Sequence, residues 1–171
     1  MIVHFVLDCG LTEKFVNLLV SCPNKLQDTD KVQMKCGLCL VAMLQFDEIQ
    51  ERMVSMKGSF AALFALFRVK SDEMLRELLT ALVGLLSVPR VADICVENGL
   101  LVSLPGLVVH ENVFIQSLAQ KVVVSLLKSL TNKPVLRNQT LLTSLHRISE
   151  TSSNEAVRQT AFKLLNIINS L

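Results

Sequence analysis

The chain has 171 residues, of which 51% are apolar, 19% are charged and 5% are aromatic, and its formal net charge is +2. This composition is sufficient for a hydrophobic core and excludes intrinsic disorder, and the small net charge differs from the strongly basic surface of a dedicated nucleic-acid binder. Trp and Tyr are absent and only six Gly and four Pro occur, which favours helices over a β-sandwich or barrel.

The apolar pattern predicts a helical unit that recurs along the chain. The first three units have a short helix, a glycine turn, an apolar helix and a long helix. The last unit keeps only the apolar and long helices and has Asn138–Gln139 in place of the glycine. In chain order the predicted helices cover 2–9, 11–21 and 32–44, then 49–57, 59–68 and 74–87, then 91–98, 100–109 and 115–130, and finally 140–149 and 157–171. The apolar helices begin at Leu11, Ser59, Leu100 and Thr140, at intervals of 48, 41 and 40 residues. A period near 40 residues is typical of helical solenoids.

Helix boundaries are marked by capping residues. Asp30, Ser71–Asp72 and Ser153–Asn154 are predicted N-caps, because their side-chain oxygens accept hydrogen bonds from exposed amides in the first helical turn. Gly58 and Gly99 follow the short helices and are predicted to adopt the left-handed conformation that ends a helix.

The long helices share a predicted buried face. Counting from Val32, Ile115 and Val157, that face contains Cys36, Ala119 and Ala161 at position +4 and Leu40, Val123 and Leu165 at position +8. A small residue at +4 allows a neighbouring helix to approach closely. We therefore expect Ala119 and Ala161 to be buried between helices.

The segments MVSMKGSFAALF (residues 53–64) and ICVENGLLVSLP (residues 94–105) resemble the junction of armadillo repeats, in which a short helix ends in glycine before an apolar helix. The resemblance covers the whole chain as one domain over 1–171, with units near 1–45, 46–87, 88–130 and 131–171. It implies an all-α fold, a right-handed α-solenoid of about four armadillo-like repeats. It also implies that the third helices line a concave groove that binds proteins.

The sequence departs from the peptide-binding members of that family. Those proteins carry an asparagine ladder on the third helices, and an Asn amide pairs with both groups of an extended peptide backbone. At the corresponding positions this chain has Ala42, Gly84, Ser125 and Ile167, and it has no Trp. The departure argues against a nuclear-import receptor and indicates that any groove binds through apolar and charged contacts.

The predicted partner-binding residues lie on the third helices, and they are Lys35, Glu77, Lys121, Ser125, Lys128 and Lys163. Residues 1–111 carry ten basic and thirteen acidic side chains, whereas residues 112–171 carry seven basic and two acidic ones. The asymmetry indicates a C-terminal surface for a partner with an acidic or amphipathic segment. The alternative, that these charges are ordinary solvated helix faces, stays open at this point.

No catalytic, metal or cofactor site is predicted. Cys36 and Cys39 form a Cys-x-x-Cys pair, but a structural zinc site needs four ligands and no second pair accompanies them. Both cysteines are expected on the apolar side of a helix. The three histidines occur in no nucleophile, metal or general-base motif, and an enzyme is therefore not expected.

The sequence thus predicts a non-enzymatic protein–protein interaction module or scaffold, part of a larger armadillo protein or complex. The alternative is an armadillo-type regulator or nucleotide exchange factor of 70-kDa heat-shock chaperones, which grips a folded domain and needs no asparagine ladder.

The apolar ends of the chain predict self-association as a further possibility. Nucleic acid is not favoured as a partner, no membrane span is predicted, and the odd number of cysteines favours the cytoplasm or nucleus.

Overall fold

The computed structural model describes residues 9–21, 27–68 and 71–171. Within these ranges every regular element is helical, which confirms the all-α prediction for the described residues. The α-helices are α1 (Leu11–Ser21), α2 (Gln27–Met43), α3 (Asp47–Ser55), α4 (Ser59–Ala65), α5 (Asp72–Leu85), α6 (Pro89–Glu97), α7 (Leu100–Val108), α8 (Val113–Ser129), α9 (Gln139–Thr151) and α10 (Glu155–Ser170). Two short 3₁₀ segments cover Leu66–Arg68 and Lys133–Leu136. The predicted helix over 2–9 lies almost entirely outside the described residues.

The glycine junctions have the predicted left-handed geometry. The φ angles of Gly58 and Gly99 are +83° and +101°, and these residues directly precede α4 and α7. Gly10 has a φ of +60° and precedes α1 in the same way. A residue with a Cβ is strained in this region of φ, whereas glycine is not. These turns redirect the chain at equivalent points in three units.

Several helices begin earlier than the sequence predicted. The Asp30 N-cap is wrong, because α2 starts at Gln27 and Asp30 lies inside the helix; the segment from Gln27 to Asp30 contains no Gly or Pro to prevent helix formation. Helix α8 starts at Val113, where Asn112 Oδ1 accepts a 2.8 Å hydrogen bond from the backbone N–H of Phe114. The caps at Ser71 and Asn154 are confirmed, since each side chain accepts a hydrogen bond from the third residue along.

Helices at equivalent places in the predicted units contact each other in succession. The second-helix row consists of α1, α4, α7 and α9, in which each helix contacts the next. The third-helix row consists of α2, α5, α8 and α10, which contact each other in the same order. The two rows also pack together, as α1 contacts α2, α7 contacts α8 and α9 contacts α10. The hydrophobic core therefore runs continuously between the two rows.

The predicted face of the third helices is buried. Ala119, Ala161 and Val123 have almost no accessible surface, and Cys36 and Leu165 are also buried. The small residues at position +4 thus lie in the core, as expected. This agreement supports the helical phase from which the candidate binding residues were derived.

The expectation that Cys39 lies on the apolar side of α2 is wrong, because Cys39 is exposed. The buried stripe of this helix runs through Cys36, Leu40 and Leu44. A step of three residues rotates Cys39 by about 60° from Cys36, away from that stripe. Val32, one turn before Cys36, is exposed as well.

Polar side chains connect successive units at a nearly constant spacing. The donor–acceptor pairs are Arg52 with Glu13, Arg90 with Glu51 (3.1 Å), Asn112 with Asp72 (2.6 Å), and Thr131 with Asp93 (2.6 Å). Their sequence separations are 39, 39, 40 and 38 residues. A fifth pair, Ser152 with Gln116 (3.0 Å), is separated by 36 residues. The period seen in the apolar pattern therefore recurs, within a few residues, in hydrogen bonds between side chains.

Among the described helices, none is by itself both long and apolar enough to cross a membrane. Helices α6 and α7 reach the required length and composition only when taken together, and a 90° bend separates them.

Candidate functional site

All six predicted partner-binding residues lie on the third-helix row. Lys35 is on α2, Glu77 on α5, Lys163 on α10, and Lys121, Ser125 and Lys128 are on α8. The five charged side chains are exposed, whereas Ser125 is only partly so. The Ser125 hydroxyl donates a hydrogen bond to the carbonyl oxygen of Val83 on α5, at 3.4 Å. Ser125 therefore joins two helices of the row, and its hydroxyl is already engaged within the protein.

Two of the lysines occupy matching places on neighbouring helices. Lys121 lies six residues after Ile115 on α8, and Lys163 lies six residues after Val157 on α10. Because α8 contacts α10 and both helices bury the same register positions, these lysines lie on the same exposed face of the row. The corresponding residue of α5 is Thr80, so the paired positive charge belongs to the last two third helices.

A groove of about 510 Å³ opens between α8 and α10 on this face. Phe114, Ser117, Lys121 and Val124 line it from α8, and Thr160 is among the residues that line it from α10. The Phe114 side chain is 75% exposed. Among the described residues, no acidic side chain lines this groove. We call these residues together with Lys163 the basic groove.

Phe114 was not identified from the sequence. The predicted α8 began at residue 115, so Phe114 was placed in the preceding loop. In the structure it lies in the first turn of the helix, next to the Asn112 cap. The sequence did contain a signal, since the aromatic Phe114 directly precedes the buried Ile115. If the helix starts at Val113, Phe114 lies on the helix but outside its buried stripe.

Glu155 is the first residue of α10, and its negative charge is balanced by side chains of the same helix. Glu155 accepts hydrogen bonds from Gln159 (2.8 Å) and from Arg158. These hydrogen bonds, from Gln159 first and Arg158 second, lower the pKa of Glu155. Because Arg158 pairs with this carboxylate, the negative charge of Glu155 does not cancel the positive charge of Lys121 and Lys163 in the basic groove.

A different opening, of about 350 Å³, lies between α5 and α8. Here Asp72 accepts a hydrogen bond from Asn112 and lies 3.8 Å from Nε2 of His110, and Glu73 and Arg76 also line the opening. This part of the third-helix row is therefore of mixed charge. The charge of the row changes from mixed at α5 to basic at α8 and α10.

The cysteines differ in their exposure. Cys95 on α6 is fully buried, and burial raises the pKa of its thiol to about 12. A thiol with such a pKa is protonated at neutral pH and is a poor nucleophile. In the part of the chain that the structure describes, no three His, Cys, Asp or Glu residues are grouped to hold a metal ion.

Comparisons with known proteins give a fold likeness only. No protein-family model matches the chain, and no curated protein matches it. It is similar to two crystal structures of engineered proteins from the Northeast Structural Genomics Consortium, targets OR329 and OR366. The TM-scores are 0.65 and 0.66, the sequence identities are 20% and 23%, and 96% and 97% of this chain is covered. The chain spans 65% and 66% of the lengths of those proteins.

Proposed function

We propose that the chain is a non-enzymatic protein–protein interaction module, built as an armadillo-like right-handed α-solenoid, that binds an acidic segment of a partner protein through the basic groove. The observation that carries this proposal is the exposed Phe114 beside Lys121, in a groove with no acidic lining residue among those described. We also propose that the module acts in the cytoplasm or nucleus, as part of a larger protein or complex.

The solenoid part of the proposal is supported by the two rows of helices. Each helix of a row contacts the next one of the same kind, and the glycine junctions recur in equivalent positions. Stacked units of this type bury a continuous core and leave one face of the third helices exposed. That exposed face is where the basic groove lies.

The composition of the groove determines the kind of partner. Exposed ion pairs contribute only about 0.2–1 kcal/mol each, so Lys121 and Lys163 orient the partner and increase its association rate rather than provide most of the affinity. Phe114 and Val124 supply apolar surface for the affinity. The partner segment is therefore acidic with at least one apolar side chain.

The groove is not suited to clamping an extended backbone. Ser125 stands where the ladder asparagine is expected, and its hydroxyl donates to Val83. The exposed Gly84 and Ile167, at the equivalent positions of α5 and α10, offer no amide side chain. We therefore expect recognition through side chains of the partner, as in the docking of an amphipathic helix.

The experiment compares partner capture by three forms of the chain. A tagged wild-type chain is used for affinity purification with mass spectrometry, beside the double variant Lys121→Glu, Lys163→Glu. The matched control is Lys57→Glu, Arg147→Glu, which changes the net charge equally at exposed residues outside the basic groove. We expect the groove variant to lose the partner or to slow its association severalfold, and the control to bind as the wild type does.

Two results contradict the proposal. One is a partner that binds the wild type and the groove variant with equal affinity and rate. The other is a ligand that proves to be RNA or DNA, recognised by a binding constant whose logarithm falls linearly with the logarithm of the salt concentration.

A second candidate, regulation of a 70-kDa heat-shock chaperone, is favoured by the missing asparagine ladder alone. Such a regulator would hold a folded domain against the third-helix row. A pull-down with the purified nucleotide-binding domain of the chaperone tests it. Retention of that domain, and its loss in the Lys121→Glu, Lys163→Glu variant, would select this candidate over an acidic segment.

A further inference from the structure

The openings on the two sides of α8 occupy equivalent places in the third-helix row. If positions are counted from Met74 on α5 and from Ile115 on α8, each helix lines the opening toward its successor with residues at positions −2, −1 and +2. These residues are Asp72, Glu73 and Arg76 on α5, and Val113, Phe114 and Ser117 on α8. We call the first opening the α5–α8 groove. The α5–α8 groove and the basic groove are therefore successive grooves of one surface.

Phe114 belongs to both of these grooves. It lines the α5–α8 groove beside Asn112 and Ile115, and it lines the basic groove beside Ser117 and Lys121. Aromatic side chains are enriched where proteins bind each other, because a single ring supplies a large apolar contact. A partner segment that crosses α8 therefore contacts the exposed ring of Phe114 and reaches into the groove on each side of it.

The two grooves differ in the sign of their charge. Lys121 and Lys163 make the basic groove positive, and no acidic residue lines it among those described. In the α5–α8 groove, the described lining residues include two carboxylates, Asp72 and Glu73, and one guanidinium, Arg76, which leaves a net charge of −1. A partner segment that fills both grooves must therefore carry an acidic group on one side of Phe114 and a cationic group on the other.

Glu73 is the carboxylate that is available to a partner in the α5–α8 groove. Asp72 is already engaged, because its Oδ2 accepts a 2.6 Å hydrogen bond from Asn112 and its Oδ1 lies 3.8 Å from Nε2 of His110. The side chain of the exposed Glu73 has no hydrogen bond and no ion pair with any described residue. Arg76 lies one turn further along α5 and is likewise without an ion pair in the described part of the chain. A partner cation therefore finds Glu73 unpaired, while Arg76 weakens its attraction to the groove.

We infer that one partner segment fills both grooves, with its acidic group in the basic groove, an apolar side chain on Phe114 and a cationic side chain at Glu73. This inference rests on the proposed function, because it extends the ligand of the basic groove by one groove. Packed helices lie about 8–10 Å apart, so the acidic and cationic groups of the segment are separated by about that distance. In a helical segment this corresponds to about six or seven residues, with the apolar residue three or four positions from each charged one.

The experiment selects peptides from a displayed library of random sequences about 15 residues long, which is enough for four helical turns. The wild type, Glu73→Lys and the matched control Glu97→Lys each serve as bait, since Glu97 is exposed on α6 and lines neither groove. We expect the wild type and the control to enrich peptides in which an acidic residue and a Lys or Arg flank an apolar residue, about seven positions apart. Glu73→Lys should instead enrich peptides with acidic residues at both flanking positions. Circular dichroism checks that both variants remain folded.

The affinities of synthetic peptides measure the size of the effect. A peptide selected on the wild type is compared with its counterpart in which the cationic residue is replaced by Glu. The wild type should bind the selected peptide severalfold more tightly than the counterpart, and Glu73→Lys should reverse this preference. Arg76→Gln should increase the preference, because it removes the positive charge of the α5–α8 groove.

Two selection results overturn the inference. One is that the wild type enriches peptides with acidic residues on both sides of the apolar one, and the other is that Glu73→Lys enriches the same pattern as the wild type. The Lys121→Glu, Lys163→Glu variant separates these outcomes from a failure of the proposed function. An acidic enrichment that disappears in this variant supports the basic groove even where no cationic residue is selected. If the wild type enriches no acidic residue at all, both the inference and the proposed function are wrong.

Discussion

At the scale of single residues, the glycines of this chain have different physical roles. Gly58 and Gly99 permit the left-handed turns before α4 and α7. Gly37 permits close packing of α2 against Leu66, which is itself buried. Gly84 is exposed in α5, and a Cβ at that position would meet no atom within 4 Å. The residue type alone does not distinguish these cases, but the surroundings do.

This difference predicts opposite effects of the same substitution. Gly84→Ala should increase the free energy of unfolding by about 0.5–1 kcal/mol, because alanine has the higher helix propensity and nothing opposes its methyl group. Gly37→Ala gains the same propensity but displaces the buried Leu66 side chain, so it should be less stable than Gly84→Ala by at least about 1 kcal/mol. Urea unfolding of both variants measures the contrast. Equal stabilisation by the two substitutions would contradict the close packing at Gly37.

At the scale of helices, the small residues at position +4 allow neighbouring helices to pack closely, both within a row and between the two rows. Ala119 on α8 and Ala161 on α10 have no accessible surface. Helix α8 contacts α5, α7 and α10, so its buried face has little room to adjust. A larger side chain at Ala119 must displace several neighbours together.

We therefore predict that Ala119→Phe destabilises the protein by about 1–3 kcal/mol, as expected for overpacking of a core. The control is Ala61→Phe, the same exchange at an exposed position of α4, which should change stability by less than about 1 kcal/mol. Thermal and urea unfolding provide the measurement. A stable Ala119→Phe variant would mean that Ala119 does not face the core and that α8 is rotated about its axis.

The phase of the helices was predictable from the sequence, whereas their first residues were not. Ala119 and Ala161 were expected in the core because apolar residues recur with the helical period, and the turns at Gly58 and Gly99 followed from backbone sterics. The start at Val113 depends on which polar residue takes the capping position, and Asn112 takes it by accepting a hydrogen bond from Phe114 N–H. That choice is decided by the surrounding structure rather than by the residue type.

The candidate site was only partly predictable for a related reason. The exposure of Lys121 and Lys163 followed from the helical phase. The engagement of Ser125 with Val83 and the exposure of Phe114 depend on how α8 lies against α5 and α10, which no local pattern encodes. The prediction for Cys39 was wrong because the width of the buried stripe of a helix depends on the helices that pack on both of its sides, and these are not known from the local sequence.

At the scale of the whole molecule, polar side chains tie one unit to the next. Arg52 on α3 pairs with Glu13 on α1, a separation of 39 residues. A backbone hydrogen bond is the largest cause of the lowered pKa of Glu13, and the Arg52 guanidinium contributes further. The folded state therefore favours the ionised carboxylate of Glu13.

This shift predicts a dependence of stability on acid. A carboxyl group whose pKa is lower in the folded state stabilises the protein at pH values above its unfolded pKa, near 4.5 here, and this contribution is lost as the pH falls through the folded value. Glu13→Gln should remove it, which makes stability less sensitive to pH below about 5. The effect should be less than about 1 kcal/mol, since the Glu13 and Arg52 side chains are 26% and 50% exposed.

Urea unfolding at a series of pH values measures this effect. The exposed Glu97 provides the control, because Glu97→Gln should leave the acid dependence of the wild type in place. An acid dependence that is the same in Glu13→Gln and in the wild type would show that the ionised carboxylate of Glu13 adds no stability.

The separation of 36 to 40 residues between bonded side chains of successive units has a consequence for how the chain folds during synthesis. A ribosome adds about 5–20 residues per second, so about 2–8 s pass between one unit and its successor. Helices form in about a microsecond. Each newly emerged unit therefore meets a preceding unit that has had time to fold, and it finds its packing partner there without waiting for the end of the chain. The apolar face that each unit presents to its successor is therefore uncovered for about 2–8 s during synthesis.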